Sequence, residues 1–248
     1  MYQKRIEMLA KLLKQSSHTV FFGGAGVSTA SGMKDYRSAD GLYNTTREFG
    51  VSPETILSRS FFEKDPETFY RFYCKYFLHP GVKPNGAHEA LAALEAQGKL
   101  SAIITQNVDD LHQTAGSKHV LELHGTTKTY RCHSCRRQSP VEAEMLDGSV
   151  LRCPYCGGVL RPQIVLYEEP LDAQVMDEAI DEIYNADLLI IGGTSLAVYP
   201  AASFINYFRG RHIVLINRDA TPYDSRADLI FRESIAQVLP DAVRQTFA

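Results

Sequence analysis

The sequence predicts an α/β protein in which a doubly wound parallel sheet carries an inserted small domain. Short, continuously apolar runs such as TVFF, ADLLIIG and HIVLIN recur along the chain, as expected for parallel strands that are covered on both faces. Helical segments such as GAHEALAALEAQGK and LDAQVMDEAIDEIYN lie between several of these runs, and this alternation is typical of βαβ units. Residues 33–85 and 126–163 interrupt the alternation and predict the insertion.

The elements follow in chain order. The opening segment MYQKRIEMLAKLLKQSS places Ile6, Leu9 and Leu13 on a helical period, which predicts an amphipathic helix rather than a secretory signal. Apolar runs then predict strands at TVFF, LSAIIT, VLEL, QIVLY, ADLLIIG, HIVLIN and ADLIF, of which about six are expected to form the sheet. Residues 33–85 are rich in aromatic side chains and predict a long polar loop followed by a helical excursion.

The composition excludes several classes of protein. With 44% hydrophobic and 22% charged residues, the chain has a globular composition and enough apolar residues to bury a core. The formal net charge of −3 indicates no broad basic surface, so we expect no direct nucleic-acid binding. No segment reaches the roughly 18 consecutive apolar residues of a membrane span. We therefore expect a cytoplasmic protein without a membrane partner, and the oligomeric state is left open.

Four of the five cysteines form two C-x-x-C pairs, CHSC and CPYC. Two such pairs place four thiolates tetrahedrally around one ion, which suits zinc and leaves no position for water or substrate. The spacing therefore predicts a structural zinc ion, because reduced core cysteines do not explain the glycine and proline turns around the pairs. The predicted ligands are Cys132, Cys135, Cys153 and Cys156. The arginines of the same segment are most simply a solvated face, and Cys74 is most simply a core residue.

A glycine turn follows the first predicted strand. Gly24-x-Gly26-x-x-Thr29 is an incomplete G-x-G-x-x-G pattern with threonine at the third position. Backbone amides at such a turn can hold a pyrophosphate, although the same residues also make a tight structural turn. A plain dehydrogenase is disfavoured, because no second strand ends in an acidic residue about 20 positions later.

Two further turns place polar groups at the ends of predicted strands. GGTSLAVYP offers Gly193, Thr194 and Ser195, and LINRDATP offers Asn217. Each turn alone is most simply turn chemistry, but several at one sheet edge favour a bound dinucleotide.

Two other strand ends carry reactive side chains. TQNVDDLH sets Gln106, Asn107 and Asp109 behind a buried strand, where they could hold a carboxamide or cap a following helix. HVLELHG ends a strand with His124, which can act as a general base, although a single histidine beside a turn is often structural.

Together these segments resemble the sirtuins, which are NAD-dependent protein lysine deacylases, and in particular the bacterial deacetylases. The resemblance covers nearly the whole chain and rests on GAGVSTASGMKDYRS, TQNVDDLH, HGT, the cysteine pairs, RPQIVLYEEPL, GGTSLAVYPA and LINRDATP in the family's order. It implies three parts: a Rossmann-like NAD-binding domain, a cofactor-binding loop with a helical insertion, and a zinc-binding module. In chain order the parts comprise residues 1–32, 86–125 and 164–248; 33–85; and 126–163.

The resemblance implies NAD as co-substrate and assigns a role to each motif. His124 is implied as the general base, with Asn107 and Asp109 as the other catalytic residues. Tyr36 would screen the reactive sugar carbon, and Arg37 would face the phosphate or ribose. The implied cofactor-binding residues are Gly24, Ala25, Gly26, Thr29, Tyr36, Arg37, Gln106, Asn107, Val108, Asp109, Gly193, Thr194, Ser195, Asn217, Arg218 and Ile235.

The resemblance also implies an acetyl-lysine peptide as substrate, held between the domains by strand addition. The implied substrate residues are Val165, Leu166, Tyr167, Val198, Tyr70 and Tyr73. Relatives that remove acidic acyl groups carry a Tyr-x-x-Arg pair, whereas this chain has Tyr70 and Tyr73 at the matching positions. We therefore expect acetyl or plain aliphatic acyl groups to be preferred over succinyl. The expected products are deacetylated lysine, nicotinamide and O-acetyl-ADP-ribose.

The chain departs from the family pattern at Lys34, Tyr36, Asp110 and Glu168. Two other functions fit the same motifs. One is a sirtuin-like ADP-ribosyltransferase or NAD hydrolase, which would share the cofactor site but not the deacylation. The other is a non-catalytic zinc-ribbon module that senses NAD.

Overall fold

The structure is a computed structural model. It describes residues 2–33, 48–79, 81–142 and 145–248. The predictions for Lys34, Tyr36 and Arg37 lie outside the described residues. No helix in the described part of the chain is both long enough and apolar enough to span a membrane.

The described helices are α1 Tyr2–Gln15, α2 Pro53–Ile56, α3 Arg59–Lys64, α4 Pro66–Tyr76, α5 Gly86–Ala96, α6 Leu111–Thr114, α7 Ala173–Asn185 and α8 Ile235–Phe247. The described strands are β1 Thr19–Gly23, β2 Ala102–Thr105, β3 Val120–Glu122, β4 Gly125–Cys132, β5 Gln138–Ser139, β6 Leu160–Ile164, β7 Leu188–Gly192, β8 His212–Ile216 and β9 Leu229–Phe231. Short 3₁₀ helices cover Ala25–Val27, Thr29–Ser31, Ala201–Tyr207 and Asp224–Arg226.

Six strands form one parallel sheet in the order β3-β2-β1-β7-β8-β9. The chain builds outward from β1 to β3 on one side and from β7 to β9 on the other. The strand order therefore reverses between β1 and β7, where Gly23 lies beside Gly192. In open α/β sheets, ligands bind in the crevice at such a switch point. This arrangement confirms the predicted doubly wound sheet.

The central strands are apolar throughout because both faces of the sheet are covered. All five residues of β1 and of β7 are buried. One face packs against α1, α5 and α8 through residues such as Leu9, Leu91 and Leu239. The other face packs against α7 and the 3₁₀ helix at Ala201–Tyr207, for example through Ile183 and Phe204.

The small domain joins the helical insertion to a three-stranded antiparallel sheet with the order β5-β4-β6, which we call the ribbon sheet. Helices α2 to α4 pack on it through an aromatic core that includes Phe62, Phe69 and Tyr130. Six of the seven predicted apolar runs form the main sheet, and QIVLY is the one that does not. Its first residues end β6 in the ribbon sheet, and the run is apolar because Ile164 and Leu166 belong to the small-domain core.

The ribbon sheet begins at a stem in which Gly125 pairs with Ile164. Gly125 has a φ of 74°, and a Cβ there would lie 2.0 Å from the Gln163 carbonyl oxygen. Only glycine fits such an approach. On the other side of the stem, the Val165 N–H donates to the His124 carbonyl oxygen at 2.8 Å.

Candidate active site

A cavity of about 400 Å³ lies at the switch point between β1 and β7, beneath the small domain. It is lined by these predicted residues: Gly24, Ala25, Gly26, Gln106, Asn107, Val108, Asp109, His124, Val165, Leu166, Tyr167, Gly193, Thr194, Ser195 and Val198. Parallel strands end at the same edge of a sheet, which explains why segments distant in sequence converge here.

The turns after β1 and β7 pack directly against each other at the base of the cavity. The Gly26 N–H donates to the Gly193 carbonyl oxygen at 2.8 Å. A Cβ on Gly26 would lie 2.8 Å from the Gly193 Cα, so no larger residue fits without displacing the turn. The glycine pattern therefore has a structural role, and the same turn also lines the cavity.

Gln106 connects three strand ends. Its backbone N–H donates to the Gly23 carbonyl oxygen at 3.0 Å, and its side-chain amide donates to Thr194 Oγ1 at 3.0 Å. Its own carbonyl oxygen accepts from His124 Nδ1 at 2.9 Å. Gln106 thus fixes the position of the histidine relative to β1 and β7.

The contact with Gln106 sets the protonation of His124. A carbonyl oxygen only accepts, so Nδ1 carries the hydrogen and Nε2 of the neutral ring keeps a free lone pair. Burial lowers the pKa of His124, against a smaller opposing effect of the Gln106 carbonyl. The ring is therefore neutral near pH 7, which is the form that a general base requires.

A second polar network lies at the side of the cavity that Ser28, Asn107 and Asp109 form. The Ser28 hydroxyl donates to Asp109 Oδ2 at 2.6 Å and accepts from Asn107 Nδ2 at 3.1 Å. His88 Nε2 lies 3.5 Å from the same hydroxyl, while His88 Nδ1 accepts from the Asn85 N–H at 3.2 Å. The network therefore orients both Asn107 and Asp109.

Asp109 also fulfils the structural alternative that its sequence context allows. Its Oδ1 accepts from the Leu111 N–H at 3.0 Å and so caps the start of α6. One carboxylate oxygen therefore accepts from the first residue of α6, and the other accepts from the Ser28 hydroxyl. A capping role and a position at the cavity coexist in this residue.

His112 lies behind this network and contacts His88 edge to face, with 4.8 Å between ring centroids. It is 1% exposed, and neither ring nitrogen has a hydrogen-bond partner within the described part of the chain. Burial lowers the pKa of His112 to about 3, so the ring is neutral over the physiological range.

Sequence reasoning missed Ser28, His88 and Asn85. The signal was present only in part, because NGAH has the spacing of a helix N-cap. Asn85 and His88 do form a capping box at the start of α5. That His88 also reaches Ser28 follows only from the long-range packing of α5 beside the glycine turn.

The segment after β6 forms the cavity wall on the side of the small domain. The Tyr167 N–H donates to the Leu57 carbonyl oxygen at 2.9 Å, so this group is not available to a peptide. Glu168, at a φ of 74°, accepts from the N–H and the hydroxyl of Ser60 at 2.9 and 2.8 Å. These bonds anchor the wall to the start of α3.

Tyr70 and Tyr73 are not at the cavity, and the prediction that they contact substrate is wrong. Both side chains are 0% exposed in the aromatic core of the small domain. The Tyr70 hydroxyl donates to the Leu160 carbonyl oxygen at 2.7 Å, and the Tyr73 and Tyr130 hydroxyls are 3.0 Å apart. The apolar face of α4 packs on the ribbon sheet. Among the described residues 66–79, Phe77, one residue past the helix, is the one that lines the cavity.

Four predicted cofactor residues also lie outside the cavity. Thr29 donates to the Gly26 carbonyl oxygen at 3.0 Å, and Asn217 donates to the Asp219 carbonyl oxygen at 2.9 Å. Arg218 is exposed beyond the end of β8. Ile235 is buried behind Gly192, whose added Cβ would meet it at 2.4 Å. Their assignment to the cofactor stays a prediction.

The four cysteine sulfurs of the ribbon lie within 4.8 Å of one another. Cys132 and Cys156 Sγ are 3.5 Å apart, and Cys135 and Cys153 Sγ are 3.7 Å apart. Tetrahedral zinc with bonds of about 2.3 Å requires sulfurs about 3.8 Å apart. The cluster therefore fits one structural zinc ion, which would tie the two C-x-x-C turns together.

Comparison with known proteins gives one family. The Sir2 family matches residues 24–200. An NAD-dependent protein deacetylase of Clostridium perfringens is 52% identical to this chain, covering 95% of this chain and 97% of its own length. A second, from Cutibacterium acnes, is 51% identical over 94% of this chain and 95% of its own length.

Solved structures agree with the sequence matches. A complex of a Sir2 homologue with NAD has a TM-score of 0.88 at 39% identity, covering 97% of this chain and 93% of its own. A complex of Sir2 with a p53 peptide and NAD⁺ has a TM-score of 0.85 at 37% identity, covering 96% and 97%. Since the family match covers more than half of the chain and these relatives span nearly all of it, the chain belongs to the Sir2 family.

Proposed function

We propose that this chain is an NAD-dependent protein lysine deacetylase that releases nicotinamide and transfers the acetyl group to ADP-ribose. The observation that carries the proposal is the position of His124. Its neutral ring, held through Nδ1 by Gln106, lines the same cavity as the Ser28–Asn107–Asp109 network. The curated relatives with about half of their residues identical carry this activity in their names.

NAD, when bound, supplies the electrophilic ribose carbon and the hydroxyl groups that accept the acetyl group. The turns at Gly24–Gly26 and Gly193–Ser195 offer backbone amides and hydroxyls to its phosphates and ribose. Asn107 and Asp109, oriented by Ser28, are suited to hold the carboxamide and to keep water out of that end.

His124 acts as the general base in this proposal. Its Nε2 takes a proton from a ribose hydroxyl, while Nδ1 stays bonded to the Gln106 carbonyl. Because Gln106 also bonds Thr194, the base and the turn after β7 keep a fixed relative position. This preorganisation is what an efficient proton transfer requires.

In this proposal the peptide enters the cavity between the wall at Val165–Glu168 and the turn at Val198–Tyr199, which line it from two segments. The described residues that line the cavity include no lysine or arginine. Against these described residues, an acyl group with a terminal carboxylate would have no cationic partner and would incur a desolvation cost. This supports acetyl or plain aliphatic acyl groups as substrates.

The test is mass spectrometry of an acetyl-lysine peptide incubated with the protein, with and without NAD. We expect NAD-dependent loss of acetyl and formation of O-acetyl-ADP-ribose, with a His124→Ala variant inactive and a succinyl-lysine peptide turned over poorly. Consumption of NAD with an unchanged peptide would instead identify an ADP-ribosyltransferase or NAD hydrolase. Binding of NAD without turnover would identify an NAD-sensing module.

A further inference from the structure

A second groove, of about 600 Å³, runs between the outer face of the ribbon sheet and strand β3. We call it the ribbon groove, and it is bordered by Val120–Leu123, Thr129, Arg131, Arg136, Arg161 and Gln163. Four further residues, Ile164, Val165, Glu169 and Leu171, line both this groove and the active-site cavity. The two spaces therefore adjoin at these residues.

One side of the ribbon groove is an open strand edge. Strand β3 is the first strand of the main sheet, so its outer edge has no neighbouring strand among the described residues. Leu123 N–H and His119 C=O point toward β2, which places the Val120 and Glu122 backbone groups on the opposite, groove side. Such an edge accepts an extended peptide as an additional strand.

The opposite side of the ribbon groove is cationic. Arg131 and Arg136 are exposed, and neither forms an ion pair within the described part of the chain. Arg161 is neutralised by Glu169 through two bonds of 2.6 and 2.8 Å. The other two carboxylates of the lining belong to the opposite side, because Glu122 is on β3 and Asp172 caps α7. The unpaired charge on the ribbon side of the groove is therefore positive.

Resting on the proposed deacetylase function, we propose that the ribbon groove docks an acidic, extended segment of the protein substrate. The segment pairs its main chain with the edge of β3 and places carboxylates beside Arg131 and Arg136. Arg131 is six residues along β4 from the stem at Gly125, on the order of 20 Å at about 3.3 Å per residue. The acidic residues of the substrate segment therefore lie about four to six positions from the acetyl-lysine, on the flank of the peptide that passes Val165.

The experiment compares acetyl-lysine peptides that differ only in a block of Glu, Gln or Lys at about four to six positions from the acetyl-lysine, on either flank. We expect kcat/KM to be about three- to tenfold higher for Glu than for Gln on one flank, because two exposed ion pairs with Arg131 and Arg136 would stabilise the bound peptide by about that factor. The advantage should disappear in an Arg131→Gln/Arg136→Gln variant. The matched control is Arg152→Gln, which removes an exposed arginine of the same ribbon that does not border the groove.

Zinc content measured on each variant shows that the ribbon is intact, and anisotropy of a labelled Glu-block peptide measures docking without turnover. Equal kcat/KM for the Glu and Gln peptides on both flanks overturns the inference, as does a Glu advantage that survives the double variant. Failure of the proposed function is distinct from either result, because then no peptide of the set loses its acetyl group. Tight binding of a single-stranded oligonucleotide that displaces the labelled peptide would also overturn it in favour of nucleic acid.

Discussion

Ser28 and Asp109 are 81 positions apart in the chain, and the Ser28 hydroxyl donates a 2.6 Å hydrogen bond to Asp109 Oδ2. The bond joins the glycine turn after β1 to the polar loop after β2. Asn107 donates to the same hydroxyl, so one small side chain fixes two residues of the candidate nicotinamide site. The predictions below follow from this and the neighbouring contacts.

Ser28→Ala removes the shared partner of Asn107 and Asp109. We expect kcat/KM for NAD to fall by about 10- to 100-fold, with a loss of about 1–3 kcal/mol in the free energy of unfolding, because polar groups are left unpaired. Steady-state kinetics and urea unfolding measure the two effects. The matched control is Ser149→Ala, where an exposed serine hydroxyl donates to Asp147 at the same distance of 2.6 Å. An unchanged KM and kcat in Ser28→Ala would contradict the assigned role.

The pH dependence of the reaction should report His124. Burial lowers the pKa of its ring below the usual value near 6.5. Since the neutral ring is the active form, kcat/KM should stay constant near neutral pH and fall only as pH drops below that value. A pH profile of kcat/KM tests this, and an acid limb centred above pH 7 would contradict it. His124→Ala should lose about 10²- to 10⁴-fold in rate.

His112 should make the fold sensitive to acid. Its folded pKa of about 3 lies below the unfolded value, so between about pH 6.5 and 3 the unfolded chain binds a proton that the folded chain does not. Stability should therefore fall as pH falls through this window. His112→Phe removes the titrating group and should flatten that slope in urea unfolding at pH 7 and pH 5. An unchanged slope in His112→Phe would contradict this assignment.

Tyr73→Phe tests the placement of this side chain in the small-domain core. The variant loses the contact with the Tyr130 hydroxyl and should cost about 1 kcal/mol in the free energy of unfolding. The ratio of acetyl to succinyl turnover should not change, because Tyr73 does not line the cavity. A changed ratio with unchanged stability would place the side chain in contact with substrate.

Removal of zinc should unfold the ribbon and leave the nucleotide-binding side of the cavity folded. We expect about one zinc ion per chain by metal analysis, and its extraction by a chelator should lower the thermal midpoint. Peptide turnover should be lost with the metal, because the Arg161–Glu169 and Val165–His124 contacts connect the ribbon to the cavity wall. A metal-free protein with full activity and unchanged midpoint would contradict a structural role.

The sequence predicted what depends on local pattern. Continuous burial of β1 and β7 produces the apolar runs that identify parallel strands, and cysteine spacing identifies the metal cluster. The sequence did not show which of the seven apolar runs lies outside the main sheet: Ile164 and Leu166 of QIVLY are buried by the small domain. It also misplaced Tyr70 and Tyr73, because helical spacing does not reveal which face of α4 meets the ribbon. Ser28 and His88 needed contacts between distant segments.

The stem at Gly125 and Ile164 places the start of the ribbon directly beside His124. Strand β4 carries the ribbon away from this point over eight residues, on the order of 25 Å. The His124 ring donates to the Gln106 carbonyl oxygen, and the His124 carbonyl oxygen accepts from the Val165 N–H. The proton acceptor is therefore linked by hydrogen bonds both to the main sheet and to the segment that leaves the ribbon.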